Sequence, residues 1–175
     1  VNKDNAVKIM DEEKLEWTWA HNNTKDMICP KTGLQQFPYT AKDIRTKIGC
    51  SLSHYMLWKE CVKLDEPILI LEHDAVFLRP LPENIKFKGI CQINDPVGAT
   101  RNGHWWSQYM IRCGRYGAHE KTWVTAESER KIPDGLAGNS AYMIKPWAAQ
   151  ELIDKFHELG MWPNDATMCK QLFPY

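Results

Sequence analysis

The sequence predicts an α/β fold in which a mostly parallel sheet is flanked by helices and apparently lacks its first strand. Three observations carry this expectation. Ile68, Leu69, Ile70 and Leu71 form an unbroken apolar run behind the turn residues Asp65, Glu66 and Pro67, the pattern of a strand buried on both faces. A helical pattern followed by a strand pattern opens the chain, which is half of a βαβ unit without the strand that should come first. Near the other end, a strand pattern runs directly into a helix opened by Pro146, where the missing amide donor costs nothing. With 175 residues the chain can build one real core, so residues 1–175 read as a single domain, N-terminally truncated in appearance.

From Asp4 to about Lys14, Ala6, Val7, Ile9, Met10 and Leu15 give a short amphipathic helix. Leu15 to Trp19 then alternates apolar with polar, the period of a strand with one covered face. His21 to Lys47 is polar, carries Pro30, Gly33 and Pro38, and keeps no sustained period, so it is expected as a long surface connection. Ile48 to Leu64 predicts a helix with a broad apolar face of Leu52, Tyr55, Met56, Leu57, Trp58, Cys61, Val62 and Leu64. Phe77 to Phe87 reads as a turn and an extended passage, and Gly89 to Ile93 as a short strand. Val97 to Lys131 has no periodic pattern but is dense in aromatic and basic groups, with Trp105 and Trp106 either an apolar platform for a ligand or an anchor for a long loop. Ala137 to Ile144 is expected as a strand whose small first half admits another backbone or a ligand. The helix from Pro146 buries Ala149, Leu152, Ile153 and Phe156 and ends at Gly160; Asn164 or Asp165 then caps a last short helix over Ala166 to Leu172.

Composition narrows the function. Twenty-two basic and twenty-two acidic side chains cancel, which leaves no field to attract nucleic acid or an anionic membrane. No apolar run is long enough to span a bilayer, and no signal-peptide pattern opens the chain. The six cysteines form no C-x-x-C pair; they read as reduced thiols of a cytoplasmic protein, Cys50 and Cys61 as helix residues among apolar neighbours. Asn22-Asn23-Thr24 matches the glycosylation pattern, a three-residue signal of little weight.

The chemistry concentrates where the apolar run stops, at Glu72, His73 and Asp74. In open α/β sheets ligands bind outside the carboxyl ends of strands, so these residues would stand at the rim of a crevice. In extended chain the spacing of Glu72 and Asp74 points both carboxylates to one side, where they repel unless a cation is shared. A hard divalent ion with open positions for phosphate oxygens, magnesium or manganese, fits that pair. The plain alternative is that the acids cap a strand and face water.

Three blocks, in this order, resemble glycosyltransferase family 25, the lipopolysaccharide-biosynthesis and collagen galactosyltransferase family. Ile48-Gly49-Cys50-Ser51-Leu52-Ser53-His54-Tyr55-Met56-Leu57-Trp58 is similar to its IGC-x-LSH-x-x-x-W helix. Ile70-Leu71-Glu72-His73-Asp74-Ala75-Val76-Phe77 is similar to its LEDDV-x-F strand end, and Gly138-Asn139-Ser140-Ala141-Tyr142-Met143-Ile144 to its G-T-x-AY-x-I strand, with Pro163-Asn164-Asp165 matching a Pro-x-Asp turn. The likeness spans Ile48 to Asp165 and weakens between Val97 and Lys131.

The resemblance implies a GT-A, Rossmann-type fold and a divalent metal. It implies transfer from a nucleotide-diphosphate sugar, UDP-linked by first expectation, to a saccharide or other hydroxyl acceptor with inversion. Asp74 would be the chief metal ligand, with Glu72 beside it or nearer the donor sugar or ribose. His73 stands in place of the middle acid, which removes one negative charge from the rim. Ser53 and His54 would lie close to the donor, although both are equally explained as buried residues that tie a helix to the strand. Asn139 could bind donor or acceptor hydroxyls. An inverting transfer needs a base for the acceptor proton, and Asp165 is the candidate; a plain N-cap explains it as well. The competing classes are a non-catalytic descendant that binds a carbohydrate or a protein, favoured by His73 and the short N-terminus, and a metal-dependent phosphohydrolase, to which the helix motif adds nothing.

Overall fold

The computed structural model describes residues 1–21, 25–38, 42–77, 80–94, 131, 133, 139–169 and 171–173. Trp105, Trp106, Gly138 and the Asn22-Asn23-Thr24 pattern lie outside the described residues. Helix α1 (Lys3–Glu13) is followed by a hairpin of β1 (Met27–Ile28) and β2 (Gln35–Gln36), then helix α2 (Ile44–Leu64) and strand β3 (Ile68–Leu71). Strands β4 (Ile90–Gln92) and β5 (Ala141–Ile144) lead to helix α3 (Pro146–Leu159) and the short α4 (Asn164–Thr167). Mixed α/β architecture is therefore as expected.

The described sheet differs from expectation in direction. Its order is β3-β5-β4, and the central β5 runs antiparallel to both neighbours, with Ile68 opposite Ile144 and Leu71 opposite Ala141. Burial on β3 alternates as well: Ile70 is 2% exposed, whereas Leu69 and Leu71 are 36% and 41% exposed. An apolar run reports affinity for a core, not chain direction, and an antiparallel strand needs only one face covered. The strand expected over Leu15 to Trp19 is reduced to a single parallel bridge between Trp17 and Met161.

Helix ends follow local chemistry. Asn2 caps α1 by accepting from the Asp4 amide, and Asp43 caps α2 by accepting from the Arg45 amide, both at 3.0 Å. The Asp43 cap starts α2 four residues before the expected Ile48, inside what the sequence suggested was loop. At Gly49 a Cβ would meet the Val1 carbonyl oxygen at 2.9 Å, so only glycine lets the chain entering α1 lie against α2. Gly160 ends α3 at φ 88°, as its sequence position indicated. Pro163, not Asn164 or Asp165, occupies the N-cap of α4, and that helix stops at Thr167.

Helix α2 packs between α1 and α3, and Leu52, Tyr55, Trp58 and Cys61 face Leu152, Ile153 and Phe156 of α3 and Ile70, Tyr142 and Ile144 of the sheet. Trp58 and Phe156 meet edge to face at 5.2 Å. The buried face is narrower than expected, since Met56, Leu57 and Leu64 are exposed, and Cys50 is exposed rather than set among apolar neighbours. A second cluster joins Trp19, Leu34, Trp162 and Leu172. Among the described residues, no helix is long and apolar enough to cross a membrane.

Candidate functional site

One end of α2 and the carboxyl end of β3 meet through side chains that the sequence holds far apart. Cys50 and His54 are one helical turn apart and so share a face of α2. Strand β3 delivers Glu72 to that face: the Glu72 amide donates to the Ser140 carbonyl at 2.8 Å, which extends the pairing with β5 one step past Leu71. Cys50 Sγ, His54 Nε2 or Nδ1 and a Glu72 carboxylate oxygen all lie within 4.8 Å of one another. His54 is buried, and its Nε2 faces Glu72 Oε1 at 3.5 Å, while Nδ1 contacts the Tyr142 hydroxyl at 2.8 Å. The two rings stack with centroids 5.6 Å apart.

Beyond Glu72 the chain turns. The Ala75 amide donates to the Glu72 carbonyl at 3.0 Å, so Glu72, His73 and Asp74 belong to a tight turn and not to extended chain. The argument that alternation points both carboxylates the same way therefore does not apply. His73 and Asp74 are exposed on this turn, and Glu72 is half-buried.

Asp165 enters from α4. Its Oδ1 accepts from the Ala166 amide at 2.9 Å. Burial raises its carboxyl above the ordinary aspartate value; the Glu72 charge pushes the same way, and Lys47 with the backbone amides pulls back. The Cys50 thiol is raised too, first by burial, then by Glu72 and Asp165, and Lys47 opposes them. Cys50 is thus open to solvent yet ringed by protein. Glu72, Asp165 and Lys47 all act electrostatically on Cys50. Burial is also the largest influence on His54, holding its imidazole below the usual histidine range against the pull of Glu72.

Ser53 is turned to its own helix: its hydroxyl donates to the Gly49 carbonyl at 2.8 Å and accepts from the Val1 amine. Asn139 is buried beside Ser140, at the same end of the sheet as Glu72. Of the residues singled out from sequence, Glu72 and His54 come together, with Asp165 within electrostatic reach. His73 and Asp74 lie exposed on the turn that follows Glu72, and Ser53 bonds to Gly49 and Val1. Cys50, Tyr142, Trp58 and Lys47 were passed over as site residues. The four-residue spacing of Cys50 and His54 was a visible signal; nothing in the sequence marked the convergence of Tyr142 with Trp58.

A family model for glycosyltransferase family 25, described as LPS biosynthesis protein, matches residues 14–168. The chain belongs to glycosyltransferase family 25, and the general class of reaction that follows is glycosyl transfer. No curated protein and no solved structure matches the chain significantly.

Proposed function

We propose that this chain, on a GT-A-like scaffold, moves a sugar from a nucleotide-diphosphate donor, a UDP-sugar first, to a saccharide or other hydroxyl acceptor with inversion and metal assistance. The observation that carries the reading is the convergence of Glu72 with His54 and Cys50 at the end of β3; Asp165, its carboxyl raised by burial, feels the charge of Glu72. A raised carboxylate is a better proton acceptor, which suits a base that takes the acceptor hydroxyl's proton as it attacks. Glu72, His54 and Asn139 cluster at one end of the sheet, where donor hydroxyls would be met.

A hard divalent ion such as manganese or magnesium is commonly held by one or two carboxylates plus substrate phosphates. The exposed Asp74, with Glu72 two residues away, fits that modest requirement without a closed protein cage. When bound, the ion would offset the negative charge that grows on the departing diphosphate. His73 in place of an acid between the two favours the alternative, a non-catalytic carbohydrate- or protein-binding domain, because it weakens the rim's hold on a cation.

Calorimetric titration with UDP, with and without manganese, separates these readings; the transferase requires metal-dependent binding. Asp165→Asn is expected to lower turnover at least about 100-fold while leaving UDP affinity nearly unchanged. A parallel loss of affinity would reassign Asp165 to binding.

A further inference from the structure

The Trp58 indole can only donate, and its Nε1–H donates to the Tyr142 hydroxyl at 2.9 Å. Tyr142 is 0% exposed, and among the described residues the other partner of its oxygen is His54 Nδ1 at 2.8 Å. A phenol has one proton. If Nδ1 also donated to that oxygen, the phenolic proton would be buried with no acceptor, a desolvated donor that folding must carry. Tyr142 therefore donates to Nδ1, and the neutral imidazole keeps its proton on Nε2. The Glu72 side imposes the same choice independently. Nε2 faces Glu72 Oε1 at 3.5 Å, and the opposite tautomer would set a nitrogen lone pair against a carboxylate.

We infer that His54 is a positioning residue: fixed as the Nε2–H tautomer by Trp58 and Tyr142, it aims an N–H at Glu72 and orients that carboxylate, leaving its second oxygen for a ribose hydroxyl of the donor. The contact at 3.5 Å is at the long limit for a hydrogen bond, and the Glu72 side chain is 37% exposed. The inference deepens the donor-binding reading of Glu72 and rests on it for its consequence, though not for the proton assignment. It also bears on Cys50, His54 and Glu72 as a soft-metal centre. Their spacing would admit an ion, but a proton on Nε2 occupies the lone pair that a metal would need.

Long-range proton–nitrogen NMR of the unliganded full chain tests the assignment directly. His54 Nδ1 is expected to appear unprotonated and Nε2 protonated, and the reverse pattern overturns the proposal. The positioning role is tested by titrating His54→Asn and His54→Gln with UDP. Asparagine places its amide near the position of Nδ1 and falls short of Glu72, whereas glutamine places an amide nitrogen near the position of Nε2. The asparagine variant should bind UDP about tenfold more weakly, and the glutamine variant should recover most of the loss although it melts lower, because it withdraws the acceptor of the buried Tyr142 hydroxyl. Equal losses in the two variants overturn the positioning role. Failure of the wild-type chain to bind UDP would sink the donor-binding reading and the positioning role together, and the spectrum would still decide the tautomer.

Discussion

Helix α2 carries two tyrosine-centred networks built from nearly the same residue types, and they end in different places. On the α1 side, the Tyr55 hydroxyl donates to Glu13 Oε2 at 3.0 Å and meets His157 Nε2 at 3.1 Å, while Lys59 donates to Glu13 Oε1 at 2.6 Å. On the sheet side, Tyr142 joins Trp58 and His54, and His54 faces Glu72. Burial pushes both phenols up. The first network drains to water: the Lys59 side chain is 41% exposed and His157 is exposed, so a lost partner there can be replaced by solvent. In the second, Trp58 and Tyr142 are sealed and His54 is nearly so, and among the described residues the chain of contacts reaches solvent at Glu72. A tyrosine, a histidine and a glutamate thus make a helix clamp when the ends are wet and a candidate site when one dry end leads to a rim.

That contrast can be broken by experiment. The largest effect should come from Trp58→Ala, which removes a fully buried indole from the packing against Phe156 and takes from the Tyr142 hydroxyl one of its two partners. A loss of about 3–5 kcal/mol in denaturant unfolding is expected. Next, Tyr142→Phe should cost about 1–3 kcal/mol, because the Trp58 N–H loses its acceptor where no water replaces it. Tyr55→Phe should cost only about 0.5–1.5 kcal/mol, since Glu13 and His157 can be rehydrated. Equal costs for the two tyrosines would erase the distinction between a wet and a dry network.

The smallest effect is a pH dependence. Glu13 is held below its reference value of 4.5, first by the hydrogen bond from Lys59 and then by that from Tyr55, against the opposing effect of burial; His157 adds a weaker pull. A carboxyl with a lowered folded pKa stabilises the fold fully above 4.5, and that contribution is lost as pH falls through the folded value. Glu13→Gln should therefore narrow the difference in unfolding midpoint between neutral and acidic pH, and an unchanged difference would remove Glu13 from the acid response.

Much of the scaffold was legible because local chemistry wrote it. The helix of Pro146–Leu159 carries its own start, apolar spacing and stop, and α1 and most of α2 do the same. The three motif blocks located the relevant ends of α2, β3 and β5 for the same reason: each is contiguous. The hairpin of Met27–Ile28 with Gln35–Gln36 escaped notice because two-residue strands are too short to show a period. Asp165 was legible as an acid near a helix start, but its raised carboxyl was not, since that depends first on burial by the folded chain and then on the charge of Glu72 arriving from another element.

By itself, the sequence determined the main helices, the strands at Ile68–Leu71 and Ala141–Ile144, and the family to which the chain belongs. Those properties depend on neighbours within a few residues or on contiguous motifs. Tertiary structure alone decided that β5 lies antiparallel between β3 and β4, that Glu72 to Asp74 form a turn, and that Trp58, Tyr142, His54 and Glu72 share one path of contacts. Strand direction and buried proton placement are properties of pairs. A pair drawn from residues more than eighty positions apart leaves no periodic trace in either partner.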